Sequence, residues 1–245
     1  SYGQLRKEAG IDIVNQNSLG FQYMARFNHL HPPFNDPKIR QAALAAMSQE
    51  PFLRAQVGVK DYYKTCASMF TCGTPYGSAV GSDIQSKSNL KKSQALLKAA
   101  GYDGTPIVIM KPTDLPAIGK LPDVAAQQLR QAGFKVDLQS MDWNTLVSRR
   151  AKREAPTQGG WSMFLTAWVS PDIWSPLTNA AINASCDKAW FGWPCDAELE
   201  KLRDAFARAR DEKERKVAAE QVQVRAMEIG THVPLGEYLQ PVAAR

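Results

Sequence analysis

Long apolar runs are absent from this chain of 245 residues. A membrane-spanning helix needs about 20 consecutive, mainly apolar residues, whereas the most apolar run here, residues 42–47, is short and rich in alanine. Internal repeats and low-complexity tracts are also missing, and hydrophobic residues make up 44% and charged residues 22% of the chain. This composition excludes membrane-spanning, collagen-like, coiled-coil and disordered chains, and predicts a globular protein with a sizeable core.

Motifs for catalysis and metal binding are absent as well. The sequence contains no GxSxG, no HExxH, no P-loop and no GxGxxG between a strand and a helix. His29 and His31 have no third ligand nearby and precede two prolines, so we interpret them as loop or surface residues. We therefore predict a protein that is not an enzyme and holds no metal and no cofactor. One alternative stays open: a secreted hydrolase with an acid–base pair drawn from Asp142, Asp172 and Asp187.

Charge is only mildly unbalanced, with a formal net charge of +6. Basic residues are spread along the chain, and the one dense cluster, residues 149–153, falls where a helix is expected to end. Cations at a helix carboxyl end complement the helix dipole, so a solvated basic face explains the cluster without a ligand. Because no zinc spacing or aromatic–basic motif accompanies the charge, we predict that the chain does not bind nucleic acid.

The four cysteines form two local pairs, neither with the CxxC spacing of a zinc or redox motif. Both pairs lie in segments rich in Gly, Pro and aromatic residues, which predicts the disulfides Cys66–Cys72 and Cys186–Cys195 and an oxidising compartment. Four free, buried thiols remain the alternative. The first residues lack a basic segment followed by an apolar one, so we expect that any export signal has been removed or lies upstream.

Hydrophobic periodicity predicts an α/β domain in which a mixed sheet is flanked by helices. Residues 104–110, 122–132 and 134–141 read as strand, helix and strand, a β-α-β unit with two parallel strands. Further strands are predicted at residues 20–27 and 161–168, with a short strand in the last 15 residues. The other predicted helices cover residues 37–48, a segment after Pro51, and residues 89–100, 142–153, 196–210 and 212–229. The buried stripe of the last one is assigned to Val217, Val222 and Ile229.

Aromatic residues surround the end of the strand at residues 161–168. Asp172 is bracketed there by tryptophans, and a second aromatic group lies inside the second cysteine pair: Trp161, Trp168 and Trp174, then Trp190, Phe191 and Trp193. Aromatic side chains at strand ends and loops are the usual lining of a small-molecule cleft, in which a carboxylate can hold a cationic group. The alternative is that these tryptophans fill a core beneath long loops.

Four segments carry a family resemblance across nearly the whole chain: FNHLHPPFNDPKIRQAALAAMSQEPFL, KSNLKKSQALLKAAGYDG, VAAQQLRQAGFKVDLQSMDW and FARARDEKERKVAAEQVQVRAMEIGTHVPLGEY. In order and spacing the set resembles the family 5 solute-binding proteins of ABC importers, which bind dipeptides and oligopeptides. The resemblance implies one α/β lobe, residues 1–245, of a two-lobed protein of the type II periplasmic-binding-protein architecture. It also implies that residues 1–27 and 226–245 are hinge or return segments toward an absent amino-terminal lobe, and that apolar surface is exposed where the lobes meet.

The resemblance further implies a monomeric periplasmic protein that captures a peptide or other small polar solute between its lobes and delivers it to permease subunits in the membrane. Peptide-binding relatives use an acidic residue in a D-y-x-[D/E]-P turn to pair with the ligand's α-amino group. The run DIWSP places Asp172 at that position, with Trp168, Trp174 and Trp161 as the expected walls. Ile173 and Ser175 depart from the pattern, so another amine-bearing solute stays open, as does a non-transport receptor or chaperone on the same fold.

Overall fold

The structure is a computed structural model that describes residues 2–5 and 7–244. Its strands are β1 (Asp12–Val14), β2 (Phe21–Phe27), β3 (Tyr63–Lys64), β4 (Ile107–Pro112), β5 (Val136–Met141), β6 (Met163–Val169), β7 (His232–Tyr238) and β8 (Val242–Ala244). Its α-helices are α1 (Tyr2–Leu5), α2 (Pro37–Ala46), α3 (Gln49–Gln56), α4 (Asp83–Ser86), α5 (Leu90–Ala99), α6 (Leu121–Gln131), α7 (Trp143–Arg149), α8 (Ala197–Arg208) and α9 (Glu212–Ile229). No helix within this range is both long and apolar enough for a membrane crossing.

Six of the described strands form one mixed sheet, in the order β3-β7-β2-β6-β4-β5. Strand β4 runs parallel to both β5 and β6, whereas β2 runs antiparallel to both β6 and β7. The parallel pair β4 and β5 is joined through α6, as expected because parallel strands require a crossover connection. The predicted mixed sheet flanked by helices and the β-α-β unit are confirmed.

Helix starts follow local capping chemistry. Asp36 accepts a hydrogen bond from the Lys38 amide at 2.7 Å, ahead of a proline in the first turn of α2. Asp142 and Asp196 cap α7 and α8 in the same way. Each of these carboxylates satisfies an amide that has no partner within its helix, which is why the predicted starts lie within a residue of the observed ones.

The main core lies on the face of the sheet that α2, α3 and α6 cover, where Tyr23, Ala25 and Phe27 are buried. Helix α9 packs against this core mainly through small residues, including Ala218, Ala219 and Ala226. The assignment of Val217 to its buried stripe is wrong, because this side chain is 50% exposed. Gln223 occupies an inward position instead and donates to the carbonyls of residues 78 and 80.

Strand β7 is more central than the short strand expected near the end of the chain. All seven of its residues are buried although the strand contains both a proline and a glycine. Strand β3 pairs only with Tyr238 and Glu237, so Pro234 interrupts no ladder on that side, and Gln49 donates to its carbonyl at 2.9 Å. A Cβ at Gly236 would lie 2.6 Å from Leu53 of α3, which accounts for the glycine.

The predicted hinge or return segments, residues 1–27 and 226–245, contain four strands: β1, β2, β7 and β8. Strands β2 and β7 are hydrogen-bonded neighbours inside the six-stranded sheet. Strands β1 and β8 form a separate two-stranded antiparallel sheet, with Asp12 opposite Ala244. The assignment of residues 1–27 and 226–245 as hinge or return segments stays a prediction; positions 1, 6 and 245 lie outside the described residues.

Two disulfides are formed, Cys66–Cys72 and Cys186–Cys195, with Cα–Cα distances of 6.0 and 4.1 Å. Each closes a short loop, as predicted. The first lies under the end of β7, where Gln49 bonds to the backbone of Cys66 through both its amide oxygen and its amide nitrogen. The second closes residues 186–195, the segment that carries the second aromatic group.

Candidate functional site

The parallel strands β4, β5 and β6 end at one edge of the sheet, here called the carboxyl edge. The turn of residues 170–173 follows β6 directly at this edge. Ser170 anchors it: its amide donates to the Gly20 carbonyl at 3.0 Å, its hydroxyl donates to the Leu19 carbonyl at 2.7 Å, and its carbonyl accepts from the Thr71 hydroxyl. The turn is therefore held from two sides, by the segment before β2 and by the loop of the first disulfide.

Asp172 is exposed in this turn, whereas two of the three residues that follow it are buried. Ile173 is fully buried and Ser175 is 8% exposed, so the two positions that depart from the relatives' pattern both face inward. No hydrogen bond or ion pair joins the Asp172 carboxylate to any other residue that the structure describes. The turn thus presents an uncompensated negative charge at the carboxyl edge, which suits an ammonium group of a ligand.

Trp168 lies on the face of the sheet opposite the main core. It is opposite Gln22 in the β2–β6 register, and its ring meets that of Trp190 edge to face, with centroids 5.1 Å apart. Trp190 in turn contacts Phe191 at 5.8 Å. Together with Trp143 at the start of α7, these partly exposed side chains form what we call the aromatic face: Trp143, Trp168, Trp190 and Phe191.

The other two predicted tryptophans differ from each other in position. Trp161 has no exposed surface; its indole donates to the Arg150 carbonyl at 3.1 Å and it packs against Phe164 and Trp193. Its predicted role as a cleft wall is wrong because a fully buried ring supports the aromatic face from behind and cannot touch a ligand. Trp174 is partly exposed and follows Asp172 by two residues. It makes no ring contact with another aromatic residue that the structure describes.

A buried arginine holds the aromatic loop of residues 186–195 to the sheet. Arg26 of β2 donates through Nε to the Phe191 carbonyl at 2.6 Å and through Nη2 to the Trp190 carbonyl at 3.2 Å. Its Cζ lies 5.2 Å from the Trp190 ring centroid. A Cβ at Gly192 would lie 2.2 Å from the Phe27 carbonyl oxygen, so the loop approaches β2 as closely as a glycine allows. Burial lowers the pKa of Arg26 to about 9, which still leaves it protonated at neutral pH.

The three carboxylates considered for a hydrolase do not form an acid–base pair. Asp142 caps α7, and hydrogen bonds from Thr145 lower the pKa of its carboxyl group. Asp187 pairs with Arg153. Asp172 makes no contact with either of the other two carboxylates. The separate partners of Asp142 and Asp187 suit structural roles, whereas general acid–base chemistry needs two carboxyl groups arranged about one reacting bond.

A depression of about 170 Å³ is lined by residues 18–19, 61–64 and 237–239. Glu237 at its base is 2% exposed; burial raises the pKa of its carboxyl group, although the Cys72 amide and Lys64 both contact it. None of the predicted ligand residues lines this depression, so it marks where β2 and β7 leave the sheet rather than the aromatic site.

Sequence reasoning missed Arg26 and Arg150 at this site. Arg26 stands in a strand of apolar residues, where an unpaired charge is the one available signal. Arg150 was interpreted as part of a solvated helix end, yet its Cζ lies 4.9 Å from the Phe191 ring centroid. The absence of acidic residues among its nearest neighbours in the sequence could have singled it out.

Comparisons with known proteins agree with this geometry. The family model described as bacterial extracellular solute-binding proteins, family 5 Middle, matches residues 1–190. The chain is 35% identical over 241 residues to the probable peptide ABC transporter periplasmic-binding protein y4tO of Sinorhizobium fredii (strain NBRC 101917 / NGR234), covering 98% of this chain and 45% of that protein. The chain thus spans less than half the length of this relative.

Solved structures share the fold at low sequence identity. The ABC transporter substrate-binding protein CtaP of Listeria monocytogenes matches with a TM-score of 0.85 and 20% identity, over 99% of this chain and 48% of that one. The oligopeptide-binding protein AppA of Bacillus subtilis, solved with a nonapeptide, matches with a TM-score of 0.80 and 17% identity, over 99% and 48% of the two chains. These relatives are named as binding proteins of transport systems or of peptides, not as enzymes. The mixed sheet is that of the type II periplasmic-binding-protein fold, and the chain belongs to the bacterial extracellular solute-binding proteins of family 5.

Proposed function

We propose that this chain is the carboxy-proximal lobe of the substrate-binding component of an ABC importer. It captures a peptide or another small polar solute between two lobes and delivers it to permease subunits, as a monomer and without transforming the solute. Capture shifts the protein from an open to a closed arrangement, because a ligand that touches both lobes favours the state in which both contacts are made.

The observation that carries this proposal is the exposed, unpaired carboxylate of Asp172 on a turn with fixed geometry. A charge-assisted hydrogen bond to an ammonium group is strongest when the carboxylate is held in place and has no competing partner. Trp168 and Trp174 stand on either side of Asp172 in the sequence and are partly exposed, so apolar contact is available next to the charge.

Two further features fit an exported binding protein. Both disulfides close loops next to the site, and disulfides persist in oxidising compartments such as the periplasm. Strands β1 and β8 pair with each other outside the six-stranded sheet, as expected for two segments that cross toward a second lobe. The relative from Sinorhizobium fredii, named for peptides, favours a peptide as the solute.

The test uses the protein at its full natural length. Solute that co-purifies with it is released by denaturation and identified by mass spectrometry, and its binding to the refolded protein is measured by calorimetry. Asp172→Asn should weaken binding of a solute with a free amino group by roughly 10- to 150-fold, the usual range for a hydrogen bond to a charged group. Asp204→Asn, which removes an exposed carboxylate on α8, should leave binding unchanged.

Two results would contradict the proposal. If the identified solute is cleaved or modified during incubation, and Asp172→Asn stops the reaction, the hydrolase alternative is correct. If Asp172→Asn binds the amine-bearing solute as tightly as the wild type, the carboxylate has no part in recognition and the assignment of the site fails.

A further inference from the structure

Arg150 occupies an unusual position among the basic residues at the end of α7. Its Cζ lies 4.9 Å from the ring centroid of Phe191 and 6.0 Å from those of both Trp190 and Trp143. Three of the four members of the aromatic face therefore surround one guanidinium group. The fourth, Trp168, is in edge-to-face contact with Trp190, so the cation and the carboxyl edge are linked by a continuous set of rings.

The neighbouring arginines have partners, whereas Arg150 has none. Arg149 donates to the carbonyls of Gly159 and Gly160 and to the Gln139 side chain. Arg153 pairs with Asp187. The Nε atom of Arg150 is buried without a hydrogen-bond partner, and its guanidinium forms no ion pair with any residue in the described ranges. Its burial lowers its pKa, as expected for a cation that has lost water and gained no anion.

The surroundings of the Arg150 guanidinium suit a carboxylate as its partner. Aromatic rings cover the faces of a guanidinium through cation–π contact but do not satisfy its N–H groups, which point outward in the plane. Those donors match the two oxygens of a carboxylate in a bidentate arrangement. A buried donor without an acceptor costs free energy, so a ligand that supplies the acceptor recovers that cost on binding.

We propose that Arg150 is the anion-binding residue of the ligand site, and that it receives a carboxylate of the solute among the rings of Trp143, Trp190 and Phe191. This inference rests on the proposed function and narrows it: the solute carries a carboxylate for Arg150 as well as an ammonium group for Asp172. The carboxylate belongs either to the carboxyl terminus of a peptide or to an acidic side chain.

The test compares three probes on the protein at its full natural length: tri-leucine with free ends, tri-leucine amide, and Leu-Glu-Leu amide. Arg150→Gln removes the charge at similar size, and Arg150→Lys keeps the charge but loses the planar fork. Lys152→Gln is the matched control, because it removes one positive charge from an exposed residue two positions away that has no aromatic contact. Affinities come from calorimetry, and circular dichroism verifies that each variant is folded.

We expect the wild type to prefer free tri-leucine over its amide by at least about tenfold, the lower range for a hydrogen bond to a charged group. Arg150→Gln should abolish this preference, Arg150→Lys should reduce it, and Lys152→Gln should retain it. Recovery of tight binding by Leu-Glu-Leu amide, dependent on Arg150, would identify the side chain as the carboxylate source; weak binding would identify the terminus.

Failures of the two proposals are distinguishable. Binding of all three probes with equal affinity, or an acid preference that persists in Arg150→Gln, overturns the role of Arg150 and leaves solute capture intact. If Arg150→Gln does not fold, an undiminished preference in Arg150→Lys overturns the role instead. If the wild type binds none of the probes and carries no co-purifying solute, the proposed function fails and the role of Arg150 fails with it.

Discussion

Replacing Arg26 by methionine tests how the aromatic face is held in place. The Arg26 side chain is 0% exposed and donates to four backbone carbonyls, those of Phe191, Trp190, Ala181 and Thr231. These acceptors belong to segments that lie 155 to 205 residues further along the chain. Methionine has a similar length and no donor, so Arg26→Met should leave the acceptors buried without their partner.

The expected loss follows from counting those acceptors. The Trp190 carbonyl keeps the amide of Trp193 as a donor at 3.1 Å, which leaves the carbonyls of Phe191, Ala181 and Thr231. Each buried carbonyl left without a partner costs about 1–3 kcal/mol. Removing the buried cation also removes its desolvation cost, so the net loss for the three carbonyls lies near the lower end of their summed cost. We therefore expect Arg26→Met to lower the free energy of unfolding by about 3 kcal/mol, a large part of the 5–15 kcal/mol typical of a whole domain.

Urea denaturation at pH 7, followed by circular dichroism and by tryptophan fluorescence, measures this loss. Arg130→Met is the matched control, since Arg130 is partly solvated and donates only to the Val136 carbonyl at 3.1 Å; we expect it to change stability by less than about 1 kcal/mol. The fluorescence of Arg26→Met should also change in the native state, because Trp190 loses its contact with the cation. A loss below about 0.5 kcal/mol for Arg26→Met, within the range of ordinary surface substitutions, would refute the reasoning.

Two further predictions concern stability. Replacing Cys186 and Cys195 together by serine opens a loop with a sequence separation of 9. Loss of the loop constraint should lower the free energy of unfolding by about 3 kcal/mol and lower Tm in a calorimetric scan. Four titratable thiols in the denatured, unreduced protein would show that neither disulfide had formed. Burial opposes ionisation of Asp196, but the ion pair with Arg225 outweighs it and lowers the pKa of this carboxyl group in the folded protein. The contribution of Asp196 to stability is therefore present above the pKa of the unfolded chain and is lost as the pH falls through the pKa of the folded protein. Asp196→Asn should thus cost about 1–3 kcal/mol at pH 7 and progressively less as the pH is lowered below the unfolded pKa, with Asp204→Asn as control; a cost that does not fall with pH would contradict this account.

Helix starts and the parallel strand pair could be predicted because their causes are local. Asp36, Asp142 and Asp196 cap amides within three residues of themselves, and capping depends on nothing more distant. The β-α-β unit at residues 104–141 is also contained in one stretch of about 35 residues. For Val217 the same local reasoning failed, because the buried face of α9 contains Val222 and Ile229 but leaves position 217 half exposed.

The strand order and the site depend on contacts that local patterns do not encode. Strand β7 lies between β2 and β3 although some 170 residues separate it from Lys64 in sequence, and its Pro234 and Gly236 are tolerated only because of neighbours from α3. Arg150 gains its significance from Trp190 and Phe191, which a disulfide-closed loop brings back to α7 from 40 residues away. No residue spacing in the sequence predicts this contact.

The segments proposed to cross toward a second lobe lie before β2 and after β7, and the one before β2 is hydrogen-bonded to the turn that carries Asp172. This contact bears on how solute capture is coupled to closure of the lobes. Gly20, which precedes β2 and has a φ of +70°, has the Tyr238 carbonyl oxygen 2.3 Å from where a Cβ would stand, so the start of β2 and the end of β7 touch at this point. The Gly20 carbonyl also accepts the amide of Ser170, two residues before Asp172. A rotation of the crossing segments would therefore act directly on the Asp172 turn, with no intervening layer of side chains. Under the proposed function, a solute bound at Asp172 biases the same backbone that has to turn when the lobes close, so differential contact in the two states, rather than a long pathway, is sufficient for the coupling.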